Sequence, residues 1–195
     1  KVSIFSGLYS SVAENPAPYD AREHVFFLAG FGHPPNRDAV IWFADEIWPK
    51  IRETLPEIEF HIVGAEAPPE VLALADRPGI EVVGYVPDLE PVRVSVAPLR
   101  YGAGIKGKVG ASMGAGVPTV CTDIAAEGMG IADGVHTYVR NDTTGFAQAV
   151  IDLYRDPALW SRFATNGRCL VDERFGATAN RASLMLALEQ AEALP

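Results

Sequence analysis

The feature that most restricts what this chain can become is its steady alternation of short β-patterned runs with longer helix-patterned ones. An apolar run over residues 25–29 ends at the turn Gly30-Phe31-Gly32-His33-Pro34-Pro35. Asn36 is then placed to cap a helix with Asp38 in its first turn. The helix's apolar positions Val40, Ile41, Ala44, Ile47, Trp48, Ile51 and Leu55 recur at helical spacing, with Pro49 expected to bend it. A second strand is expected over residues 57–63, where Ile58, Phe60 and Ile62 alternate and Gly64 ends the run. Residues 70–75 read as a short helix, and residues 80–83 and 92–97 as strands. A small-residue helix then runs to about Gly116, and a fifth strand covers 118–122. A short strand over 137–140 and three helices (144–154, 157–173 and 177–194) complete the chain.

Strands and helices alternating at these lengths imply a parallel sheet of about six strands with helices on both faces. Apolar residues make up 48% of the sequence, enough for a substantial core. In such sheets ligands bind beyond the carboxyl ends of the strands. Function is therefore expected in the loops near residues 30–36, 64–68, 84–88, 98–108 and 123–130. Residues 1–22 read as a lead-in or inter-domain connector and 23–195 as one domain. The chain starts at Lys1 without a methionine, which reads as the cut edge of something longer. No apolar run reaches the ~20 residues a membrane-spanning helix requires.

The segment Gly102-Ala103-Gly104-Ile105-Lys106-Gly107-Lys108 stands out among those loops. Glycines let backbone amides approach phosphate oxygens, the helix that follows points its positive end at them, and lysines add charge. No Asp or Glu occurs from Pro91 to Thr122, while Arg93, Arg100, Lys106 and Lys108 all do. Such a basic island in a chain of net charge −9 suits a small anion and argues against nucleic acid as a partner. Two literal motif matches fit less well. G-x-G-x-x-G with Asp123 beyond would suit a dinucleotide, but the loop follows the fourth strand. G-x-x-x-x-G-K lacks the Ser or Thr that holds magnesium, since Val109 stands there. Cys121 and Cys169 are far apart, with Cys121 read as a small buried hydrophobe, and the compartment is expected to be reducing. The four histidines, His24, His33, His61 and His136, show no metal-ligand spacing, so neither metal nor cofactor is expected.

Taken in order, several segments resemble the donor-binding domain of family 4 retaining glycosyltransferases. They are Leu28–Asn36, Phe60–Gly64, Val83–Leu89, Ser95–Leu99, Gly102–Lys108, Met113–Pro118 and Ala126–Met129, with Asp156–Trp160 and Asn166–Arg168 near the end. The resemblance implies a Rossmann-like domain forming the C-terminal half of a two-domain, GT-B enzyme. Such an enzyme moves a sugar from a nucleoside diphosphate to an acceptor with retention of configuration. Two glutamates common in the family are replaced by Ala103 and Ala111, and its phosphate-gripping Arg and Lys after the first strand by His33 and Asn36.

The resemblance implies roles for individual residues. Lys106 and Lys108 would stabilise charge on the departing diphosphate, with Lys106 the first choice. Nucleotide and diphosphate contacts fall to Gly30, Gly32, His33, Asn36, Gly84, Tyr85, Val86, Arg100, Gly102, Ala103, Gly104, Ile105 and Ala111. Glu127 would meet sugar hydroxyls. The acceptor site belongs to an N-terminal domain that this chain lacks, so the fragment alone is expected to be inactive. A cytoplasmic location follows, with peripheral association at the inner face of the membrane left open for the full-length enzyme. The rival readings are a nucleotide-sugar epimerase of the same architecture and a non-catalytic nucleotide-binding module. Release of free nucleotide by the full-length protein, with and without acceptor, separates them.

Overall fold

The computed structural model describes residues 16–84, 86 and 92–192 of the chain. Six parallel strands form one sheet: β1 (Glu23–Leu28), β2 (Phe60–Val63), β3 (Ile80–Gly84), β4 (Val92–Ala97), β5 (Thr119–Cys121) and β6 (Tyr138–Val139). Their spatial order is β3-β2-β1-β4-β5-β6. The order reverses between β1 and β4, and the crevice beyond their carboxyl ends is where a sheet of this topology leaves room for a ligand. Helices α1 (Pro34–Trp42), α2 (Trp48–Thr54), α3 (Pro69–Leu72), α4 (Gly107–Gly114), α5 (Asp123–Ala126), α6 (Thr143–Arg155), α7 (Pro157–Phe175) and α8 (Ala177–Glu192) complete the layers. Both faces are covered. On β4, Ser95 meets Ser112 of α4 at 2.9 Å, while its neighbours Val94 and Val96 enter the main core on the other side.

The local boundaries have local causes. Pro34 and Pro35 occupy the first helical positions of α1, where a missing N–H costs nothing. His33 therefore takes the N-cap position, and Asn36, expected as the cap, lies inside the helix and is buried. Pro49 cannot donate to the turn before it, and the helix widens into a π-helical stretch at Phe43–Ile47. Strand β2 begins only at Phe60, although Ile58 is already in the core. Phe43, Trp48, Phe60 and Phe146 form an aromatic cluster beneath β2 with ring centroids 4.5–6.4 Å apart. Trp42 and Trp48 are both core residues. Cys121 is buried, and burial pushes its thiol up to about 12. Among the described residues no helix is long and apolar enough to cross a membrane.

Two arginines are drawn in near the amino-terminal ends of the strands, Arg22 held by backbone carbonyls and Arg93 held between rings with its buried Nε unpartnered among the described residues. Of the expected lead-in, Pro16–Arg22 pack onto the domain. Arg22 is fully buried, donating to Ala17 O (2.8 Å), Val92 O (3.1 Å) and Ala115 O (3.2 Å) and stacking on Trp160. Arg93 lies between the rings of Tyr19 and Tyr154, 4.2 and 4.5 Å from their centroids. The histidines also need correcting. His24 and His61, 37 positions apart and read as unpaired, sit on adjacent parallel strands with ring centroids 4.6 Å apart. Burial, and secondly the His61 ring, lowers the pKa of His24.

Candidate functional site

The loops after β1 and β4 enclose a cleft of about 380 Å³ at the strand-order reversal. His33, Pro35 and Asn36 line it from one side, and Tyr101, Gly102, Ala103, Ile105, Lys106, Gly107 and Lys108 from the other. The second group owes its position to several anchors. Ser112 Oγ donates to Lys108 O (2.8 Å) and meets Ser95 Oγ, fixing α4 to β4. Thr122 Oγ1 donates to Leu99 O (2.5 Å) and caps α5, tying the end of β5 to the segment after β4. Gly102 and Gly104 have φ of 128° and 79°, a backbone that side-chain-bearing residues rarely adopt. The loop can turn tightly there and bring α4 up with its amino end at the cleft. The first amides of a helix have no intrahelical acceptor, and the first turn of α4 holds no acidic residue.

Two ammonium groups converge here in different ways. Lys106 is buried, and its Nζ donates to Gly104 O (2.5 Å) and Gly102 O (3.4 Å) while lying 3.7 Å from Glu127 Oε2. It thus binds the glycine loop to the loop after β5. Lys108 is partly buried, donates to Asn36 Oδ1, and sits 4.3 Å from the centroid of the Phe27 ring. Asn36 in turn donates through Nδ2 to Gly30 O (2.7 Å), so its amide relays the β1 loop to α4. Among the described residues Lys108 faces a neutral amide and a ring, and burial lowers its pKa to about 7.

The basic island of the sequence divides on folding. Lys106 and Lys108 reach the cleft, but Arg93 sits at the other end of β4. Arg100 turns outward, where Asp38 binds both its Nε (2.9 Å) and its Nη2; that pairing raises the Arg100 pKa. Arg100 instead borders a neighbouring hollow with Trp42 and Asp123. Of the other residues expected to contact nucleotide, Gly30, Gly32 and Gly104 flank the cleft without lining it. Ala111 lies on the second turn of α4, outside the lining. Gly84 closes β3 with φ of 77°, and Val86 packs on the small core group around Phe26 and Val63. Tyr85 lies outside the described residues. Glu127 follows α5 as its C-cap, exposed apart from its pairing with Lys106. Sequence reasoning missed the two couplings that shape the site, Asn36 with Lys108 and Arg100 with Asp38, because each joins positions more than sixty residues apart.

Size alone would have pointed elsewhere. A groove of about 570 Å³ lies along α2, but its arginines are already engaged, Arg77 by Asp45 and Arg52 by the Pro56 and Ile58 carbonyls. Among these hollows, only the smaller cleft joins free helix-end amides to converging ammonium groups.

The family model for glycosyl transferases group 1 matches residues 22–156. The chain belongs to the group 1 glycosyl transferases. A curated relative of this group 1 domain is an uncharacterized 44.6 kDa protein in the cps region of Klebsiella pneumoniae, 23% identical over 177 residues. That match covers 83% of this chain and 46% of the relative, so the chain spans about half the length of that protein. Among solved structures, a TarM variant from S. aureus, in complex with fondaparinux, alpha-GlcNAc-glycerol and UDP, superposes with a TM-score of 0.75 at 17% identity. It covers 93% of this chain and 38% of that one. The C-terminal domain of the group 1 family protein LpcC from Francisella tularensis gives a TM-score of 0.66 at 17% identity. There the match covers 87% of this chain and 96% of that one. At these identities the likeness is one of fold, the parallel six-stranded sheet of GT-B glycosyltransferase domains.

Proposed function

We propose that this chain is the donor-binding, C-terminal half of a family 4 retaining glycosyltransferase, acting in the cytoplasm with an N-terminal domain that holds the acceptor. The observation that carries the reading is the cleft between the β1 and β4 loops, where Lys108, Lys106 and the amino end of α4 converge. When a glycosyl bond to a nucleoside diphosphate breaks, negative charge grows on the leaving phosphate. Fixed amides and ammonium groups aimed at that position stabilise the charge as it forms. Lys108 would supply mobile positive charge, Lys106 would hold the loop and add to the field, and Glu127 would meet the sugar. The reading needs no metal ion. Because the donor reacts only when clamped against an acceptor, the chain alone would bind nucleotide and transfer nothing.

The test is titration of the chain with UDP, GDP, TDP and ADP, UDP first because the TarM structure contains it. Saturable binding of at least one, lost on adding excess inorganic pyrophosphate, supports the reading. No binding of any at millimolar concentration refutes it. In the full-length enzyme, Lys106→Ala should lower turnover by about 100- to 1000-fold, and near-normal turnover would remove Lys106 from the mechanism.

A further inference from the structure

Away from the cleft, among the described residues, one group of metal-ligating side chains comes together: His24, Glu59 and His61, with donor atoms all within 4.8 Å of one another. The strand register explains the meeting. Val25 lies opposite Phe60, and His61 opposite Glu81, so β1, β2 and β3 each bring a ligand-type residue to the same edge. His61 Nε2 is 3.0 Å from Glu59 Oε2 and 3.5 Å from Glu81 Oε2. His24 Nε2 is 3.7 Å from the same Glu59 oxygen and 3.7 Å from Glu23 Oε2. Four-coordinate zinc with ligands at about 2.0–2.1 Å has ligand-to-ligand edges of about 3.3 Å, and the two histidine–Glu59 spacings, 3.0 and 3.7 Å, straddle that value.

We propose that His24, Glu59 and His61 form a binding site for a divalent ion of the zinc class, tying together the amino-terminal ends of β1 and β2, with Glu81 of β3 beside His61. The donor set is two imidazoles and carboxylate, which suits zinc. Glu23, Glu59 and Glu81 supply more negative charge than a lone histidine pair can use, and a dication balances it. The two histidine side chains are about a quarter exposed, at 28% and 22%, so an ion can enter from solvent. His24 also holds a left-handed backbone, φ 61°, a conformation that clusters at ligand clamps. Loading has one local cost. The Glu59 N–H donates to His24 Nδ1 at 3.3 Å, and coordination through Nε2 moves the ring proton to Nδ1 and gives up that long bond. Giving up one such bond lowers the affinity by up to about tenfold. The site lies at the end of the strands opposite the cleft, so it fastens the fold and takes no part in donor binding.

The experiment uses the untagged chain, stripped with a chelator and titrated with Zn²⁺ by calorimetry, with thermal melts alongside. One equivalent should bind in the micromolar range, Tm should climb with Zn²⁺ concentration, and Co²⁺ should give the intense visible bands of a four-coordinate ion. His61→Gln and Glu59→Gln should each weaken Zn²⁺ binding by at least about tenfold, while His136→Gln leaves it unchanged. Glu59 is half exposed, so its variant carries the test even if His61→Gln fails to fold. Absence of saturable binding at micromolar Zn²⁺, or equal binding by Glu59→Gln and the unaltered chain, overturns the site.

Discussion

Arg22 and Lys108 are both cations drawn into the protein, and the contrast between their surroundings separates scaffold from site. Arg22 is completely buried and meets three backbone carbonyls and an indole face. Its charge is matched by acceptors that cannot leave. Lys108 meets one side-chain amide and one aromatic ring, and burial lowers its pKa to about 7. A cation so poorly matched is stabilised by an incoming anion, whereas one as well matched as Arg22 has nothing to gain from it.

The contrast is open to attack by substitution. Arg22→Met keeps the stem but leaves three carbonyls without their donor, and should cost about 3 kcal/mol in urea unfolding. Nucleotide affinity of the folded protein should be untouched. Lys108→Met should do the reverse, weakening nucleoside diphosphate binding by roughly 10- to 100-fold with stability held or raised. If it destabilises the protein as Arg22→Met does, Lys108 is scaffold and the contrast fails.

Acidity sharpens the same point. Lys108 titrates near 7 in the ligand-free fold, below its ordinary 10.5. Above pH 7 it must take up a proton to meet a diphosphate, so affinity should fall by up to about tenfold per pH unit. Calorimetry in buffers of different ionisation enthalpy should register that proton. Between the two pKa values the unfolded chain carries the extra proton, so this group makes the fold more stable as pH rises from 7 towards 10. Lys108→Met should flatten both dependences, and identical pH profiles for the two proteins would remove Lys108 as their source. The smallest effect is expected at Arg100. Its surface pairing with Asp38 predicts a stability change within about 1 kcal/mol for Arg100→Met and unchanged nucleotide affinity, measured in the same titrations.

Periodicity and turn residues carry local information, and the elements they define are legible in the sequence. Residues 92–97 form β4 with the expected limits, and the glycine loop lies where a strand must hand over to a helix. The Pro-Pro pair was the available signal for the start of α1, and it outweighs Asn36 as a cap because proline suits the first helical turn. What the sequence withholds depends on register and distance. Arg93 and Lys106 look like members of one basic run, yet Arg93 lies at the start of β4 and Lys106 beyond its far end, at the N-cap of α4. His24 and His61 look unrelated until β1 and β2 lie side by side. Arg100 looks available to a phosphate until α1 presents Asp38 to it.

Phe27 belongs to the innermost strand of the main core and is wholly shielded from water, yet its ring forms the floor beneath the Lys108 ammonium. Hydrophobic packing and proton affinity therefore meet in a single side chain. A substitution at this position that a folding assay scores as tolerable would still retune the acid–base behaviour of the cleft above it.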